Sequence, residues 1–97
     1  MKVLLNDETF VNVRLTPHAK DRMNERCISS SDILDFILGV GEKLLDAPAS
    51  KRILIRDLKN QETVVCKFNL EYGLDLYILT VIDDLKPIGS ECIGFNV

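Results

Sequence analysis

The chain has 97 residues, 46% of them hydrophobic and 28% charged, with no tryptophan and a formal net charge of −3. That length makes one domain with a modest core, and no apolar run approaches the ~18 residues that a membrane helix needs. Three cysteines far apart and a single histidine exclude a disulfide framework and a zinc knuckle, so neither a metal nor another cofactor is expected.

The opening residues "MKVLLNDETF" hold too short an apolar patch for a signal peptide, and a cytoplasmic location is expected. Cys27, Cys66 and Cys92 read as buried, reduced thiols. Charge is unevenly spread. Residues 14–26 carry Arg14, Lys20, Arg22 and Arg26 against Asp21 and Glu25, and residues 43–67 hold twice as many basic as acidic side chains. Residues 27–42 have Asp32, Asp35 and Glu42 with no basic residue, and residues 68–97 have only Lys86 against five acids. Local patches set the field that a ligand meets at close range, so an anionic partner is permitted despite the acidic total.

In chain order, residues 1–15 read as a strand or extended arm, a polar turn, and a strand "FVNVRL" with period-two alternation. Thr16-Pro17 starts a helix, because Thr can cap free N–H groups and Pro at the first position loses no hydrogen bond. On it Ala19, Met23 and Cys27 form the buried stripe, with His18, Arg22 and Arg26 about 100° to the side. A second helix follows in "SSSDILDFILGVG", capped by Ser29 with Asp32. It buries Ile33, Phe36, Ile37 and Val40, and Gly39 and Gly41 bracket its end. Together residues 16–40 make a helical hairpin.

Residues 42–83 change to period two. "EKLLDA", "KRILIRDL", "TVVCKFNL" and "LYILTVID" read as strands of an antiparallel meander. Residues 84–97 are a tail in which "CIGFNV" could add an edge strand. The expected fold is α+β: a two-helix hairpin packed on a three- to four-stranded antiparallel sheet, with the other sheet face partly exposed.

The stretch "H-A-K-D-R-M-N-E-R-C-I-S" resembles a signature, H-A-x-x-R-M/L-x-x-R-G-I-S/T. It marks a family of small bacterial and phage domains of unknown function that are similar to the RelE and BrnT-like ribonuclease toxins. His18, Ala19, Arg22, Arg26 and Ile28 match in register. The close likeness covers residues 16–34, and the strand pattern extends it to about residue 83. The family usually has Gly where this chain has Cys27. Gly there suits a left-handed helix end, so this helix is expected to end differently.

The resemblance implies a RelE-like fold and metal-independent cleavage of RNA, with the 2′-hydroxyl as nucleophile. It points to His18, Arg22 and Arg26 as the catalytic set. Histidine can act as acid or base near neutral pH, and arginine matches phosphate oxygens with a permanent charge. The structural alternatives are a strand carbonyl as partner for His18 and an acidic residue on the second helix or the sheet as partner for Arg22. Arg52, Arg56 and Lys67 could extend a phosphate track on the sheet. Tyr77 could stack a base, and because Tyr77 and Thr80 differ in parity only one of them would face a cleft. RNA is the expected partner, with a cognate antitoxin or other protein partner possible. The alternative is a non-catalytic acidic binding or inhibitor protein whose 27–42 and 68–97 segments engage a basic partner. A third reading is a plain oligomerising module that pairs through an edge strand, with the number of copies left open.

Overall fold

The computed structural model describes residues 1–97. β1 (Lys2–Leu4) and β2 (Phe10–Leu15) form an antiparallel pair, followed by α1 (Pro17–Glu25), α2 (Ser30–Val40) and a 3₁₀ helix (Gly41–Asp46). β3 (Arg52–Asp57), β4 (Glu62–Asn69) and β5 (Asp75–Ile82) make the antiparallel meander, and β6 (Cys92–Asn96) ends the chain. All six strands join one mixed sheet in the order β1-β2-β5-β4-β3-β6.

This α+β fold corrects the expected RelE-like arrangement with its sheet of three or four antiparallel strands. Two parallel pairings flank the meander: β2 lies along β5, and β6 lies along β3. Alternation within a strand tells which residues share a face, but not which neighbour it takes or in what direction. The helical hairpin is corrected too. α1 packs on β5, and α2 packs on β3 and the 3₁₀ helix, so each helix is held by the sheet layer. "EKLLDA" is helical. Its adjacent leucines, Leu44 buried and Leu45 half-buried, fit either periodicity, and the chain passes straight from α2 through Gly41 into the tighter turn.

The core lies between the helices and one face of the sheet. Val11, Val13, Leu76, Ile78, Ile53, Ile55, Val64 and Cys66 come from the sheet, and Ala19, Met23, Ile33, Ile37 and Leu44 from the helical layer. Burial pushes the Cys66 thiol up to about 12, so it is an inert core residue. The expected capping box is present: Ser29 Oγ accepts from the Asp32 N–H, and Asp32 Oδ2 accepts from the Ser29 N–H. Cys27, expected in the core, is exposed.

On the opposite face the connection 83–91 crosses part of the sheet. Thr63 Oγ1 donates to the Asp84 carbonyl at 2.7 Å and accepts from the Lys86 N–H, and Arg56 Nη1 donates to the Lys86 carbonyl. Ile88 then sits on Gly94, where any Cβ would collide with its Cδ1. That crossing divides the face into a covered half, over Thr63 and Gly94, and an open half towards Lys67 and Tyr77.

Candidate nucleic-acid interface

Register assembles the open half into a row. Arg14 of β2 lies beside Tyr77 of β5, and Tyr77 lies opposite Lys67 of β4. Cys66 pairs with Ile53, so the next step in register sets Lys67 against Arg52 of β3, which in turn lies beside Cys92 of β6. Direct neighbours across a sheet sit about 5 Å apart, so three cations and one aromatic ring share a line across four strands. Lys67, Arg14 and Arg52 are exposed and Tyr77 is half-exposed. Lys67, Asn69, Tyr77 and Leu79 help line a depression of about 410 Å³ beside the row.

A β-bulge shapes this surface. Val65 pairs with Thr80 while Cys66 pairs with Ile78, which leaves Leu79 as the extra residue. Tyr77 and Thr80 therefore share a face, against the expectation from strict alternation. Asp75, two residues before Tyr77 and on the same face, holds Arg14 by an Nε–Oδ2 contact of 3.2 Å. Arg14 makes no other side-chain hydrogen bond, so its terminal nitrogens stay available while the carboxylate fixes their aim.

Of the sheet residues expected to touch RNA, Arg52, Lys67 and Tyr77 fall in this row. Arg56 shares their face but donates to Asn96 and to the Lys86 carbonyl beneath the crossing segment. Arg14 was missed as a site residue. Its strand is the one whose neighbour in the sheet could not be read from local sequence.

The His18, Arg22 and Arg26 stripe is not gathered into a cleft. His18 is exposed near the start of α1 and, like Arg22, lines none of the cavities. Arg22 Nη1 contacts Glu25 Oε2 at 2.9 Å on the same helix. Arg26 is half-buried and donates from Nη1 to the Val81 carbonyl at 2.8 Å, with Asp83 at 3.4 Å from Nη2. The reason is the β5 edge. β2 stops at Leu15, opposite Ile78, and beyond that point β5 has β4 on one side and no strand on the other. α1 supplies the missing donors: the Thr16 N–H to Ile78, the Thr16 hydroxyl to Ile78 and Leu79, and Arg26 to Val81. The kind of contact weighed for His18, a bond to a neighbouring strand carbonyl, is made here by Arg26.

α1 also ends as glycine would have it. Cys27 takes φ 55, the Cys27 N–H reaches the Asn24 carbonyl, and the Ile28 N–H reaches the Met23 carbonyl at 2.9 Å. These two bonds make a Schellman motif with cysteine in the left-handed position, so the expectation of a different helix end is overturned. A non-glycine residue there costs on the order of 1 kcal/mol, which the bonds and the docking of Ile28 offset.

A second surface was not foreseen as a cleft. Arg26, Ile28, Asp32, Asp35, Asp57 and Glu62 are among the residues lining a cavity of about 330 Å³ between α2 and the β3–β4 turn. Four carboxylates face it with one guanidinium, yet no group of acidic, histidine or cysteine side chains converges in a way that could hold a metal ion. Partial burial and the charges of Asp57 and Asp32 raise the Glu62 carboxyl above its ordinary range, with Arg26 opposing. Burial also pushes Asp57 upward. Hydrogen bonds from the Asn60 N–H, the Asn60 side chain and the Lys59 N–H, with the Lys59 charge, outweigh it and hold that carboxyl below its ordinary range.

No helix is long and apolar enough to cross a membrane. No curated protein matches the chain, and no solved structure does. A family model described as a domain of unknown function (DUF4258) matches residues 15–83, from the end of β2 to just past β5. The chain belongs to that family.

Proposed function

We propose that this domain binds single-stranded RNA on the open half of its sheet, with a base stacked on Tyr77 and phosphates held by Arg14, Lys67 and Arg52. The observation that carries this reading is the cross-strand row itself, an aromatic ring between cations on a face left uncovered by the fold. Open sheet faces bind RNA by this division of labour: rings take unstacked bases, and cations track the backbone. On this reading the likeness to RelE and BrnT-like ribonuclease toxins extends to the ligand. Cleavage is the less supported part of that likeness, since Arg22 and Arg26 are engaged within the protein and His18 faces no cavity.

Titrating a labelled single-stranded RNA at two salt concentrations tests it. Tyr77→Ala should weaken binding by about 1–3 kcal/mol, and Lys67→Ala should reduce the salt slope by roughly 0.7. Binding that both variants leave unchanged would sink the reading. Adding His18→Ala and Arg22→Ala and examining the RNA ends decides cleavage: 2′,3′-cyclic phosphate ends lost in both variants would restore the nuclease.

A second reading, an acidic binding or inhibitor protein, has the cleft of Asp32, Asp35, Asp57 and Glu62 in its favour. It calls for a basic protein partner, held in a complex that Asp35→Lys breaks and Lys67→Ala leaves alone.

A further inference from the structure

We infer that the protein self-associates through β6, two copies pairing antiparallel about Gly94 into one continuous sheet. This does not rest on RNA binding.

The two sheet edges differ in how they are protected. β1 is a three-residue strand that includes Lys2, and a lysine on a short edge discourages pairing with another chain. β6 spans Cys92–Asn96 with no charged residue, no proline and no bulge. Its outward backbone groups follow from the inward ones. The Val97 N–H donates to the Arg56 carbonyl at 2.8 Å, so the N–H groups of 95 and 93 also face β3, and those of Gly94 and Asn96 face away. In an antiparallel pair centred on Gly94, the two copies of Gly94 exchange both bonds, and each Asn96 N–H reaches the Cys92 carbonyl of the other copy. The Cys92 N–H, which full pairing would direct to the Asn96 carbonyl of the other copy, is held instead by the Gly89 carbonyl, so each Cys92–Asn96 pair carries one bond and not two.

Side chains are self-complementary in the same register. Ile93 and Phe95, half-buried in line with Ile53 and Ile55, meet each other across the two-fold and extend the layer beneath the helices. On the other face Gly94 meets Gly94, each flanked by the Ile88 seated on it. Four exposed apolar residues, 38% to 54% accessible, surround this edge. They are Ile88 on Gly94, Val97 against Gly39, Leu38 beside Gly39 on α2, and Leu58, whose N–H donates to the Val97 carbonyl. No like charges oppose one another. A five-residue strand and its rim make a small interface of the weak class, for which dissociation constants of roughly 1–100 μM are expected.

Sedimentation equilibrium across that concentration range is the test, with Asn96→Pro as the variant. Proline at an edge position whose N–H faces outward leaves the protomer's own backbone bonds intact, gives up only the exposed bond from Arg56 Nε to the Asn96 side chain, and removes the bonds to Cys92 of the other copy. The expected result is a monomer–dimer equilibrium, shifted at least tenfold towards monomer by Asn96→Pro with circular dichroism unchanged. Monomer throughout, a dimer indifferent to the variant, or an open series of larger species would each overturn the inference. The open series would instead signal head-to-tail pairing of β6 with β1. Should Asn96→Pro unfold, hydrogen exchange on the unaltered protein decides. Gly94 and Asn96 amides protected only at dimeric concentrations support the pairing, and free exchange at all concentrations overturns it.

Discussion

The open half of the sheet and the cleft beside α2 are built from the same β3–β4–β5 meander, yet they present opposite fields. On the sheet face Arg14, Lys67 and Arg52 stand in line with one nearby acid, Asp75, which serves to aim Arg14. In the cleft, four carboxylates share the space with one arginine whose Nη1 is already given to a strand carbonyl. A net charge of −3 is therefore the sum of two surfaces and describes neither. Over a Debye length of about 8 Å at physiological salt, a ligand at one surface is largely screened from the other.

Charge reversal at each surface gives the largest expected contrast. Lys67→Glu should lower RNA affinity by about tenfold or more, because it removes one phosphate contact and adds a repulsion at the centre of the row. Asp35→Lys, on the exposed side of α2, should change it by less than about twofold once salt screens the distance. Equal losses or equal gains from the two variants, measured by anisotropy at physiological salt, would show that only net charge matters and would dissolve the distinction between the surfaces.

The next effect separates structure from chemistry at Arg26. Arg26→Ala leaves the buried Val81 carbonyl without its donor, a loss of about 1–3 kcal/mol, worth roughly 4–8 °C in Tm for each kcal/mol in a domain this size. The exposed contact to Asp83 adds little. If Arg26→Ala abolished an RNA-directed activity while leaving Tm unchanged, the arginine would belong to a site and its edge-capping role would be secondary.

These surfaces differ in how far they could be read in advance. Residues whose meaning is local were legible: the Ser29–Asp32 cap, the Thr16-Pro17 start, and Ile33, Phe36, Ile37 and Val40 on one helix face. So was the shared face of Arg52 and Arg56. Lys67 and Tyr77 were named singly, but nothing in "TVVCKFNL" or "LYILTVID" states that they lie opposite one another. The line through Arg14 depends on β2 pairing in parallel with a strand 61 residues away. The bulge at Leu79 has no signal in an unbroken run of strand-forming residues. The cleft was illegible for another reason, since it joins α2 to a hairpin turn through packing alone. Cys27 hid a helix end of the ordinary kind, because the glycine that normally announces it is absent.

That cysteine supplies a smaller test. Cys27→Gly relieves a left-handed residue but loosens the unfolded chain, so the net gain should be at most about 0.5 kcal/mol in urea unfolding. A loss on substitution would mean that the cysteine side chain, exposed as it is, makes contacts worth more than the backbone relief.

The smallest effects are the most specific to the cleft, because two carboxylates at either end of one hairpin should respond to pH with opposite sign. Glu62 is raised above its ordinary value of 4.5, chiefly by burial and then by Asp57 and Asp32. The folded protein thus holds that proton more tightly than the unfolded chain does, and the ionised form costs stability. That cost is absent below 4.5, grows as pH rises through the raised folded value, and is complete at neutral pH. Glu62→Gln should accordingly raise Tm at neutral pH and do nothing in acid. Asp57 is lowered from 3.8, its hydrogen bonds from residues 59 and 60 outweighing burial. Its contribution is present above 3.8 and is lost as pH falls through the lower folded value, so Asp57→Asn should lower Tm at neutral pH and converge with the unaltered protein in strong acid. Thermal melts of the three proteins from neutral to acid pH would show the curves diverging in opposite directions from a common acid limit. Shifts of the same sign would mean that the shared negative field, and not the turn's hydrogen bonds, governs both carboxylates.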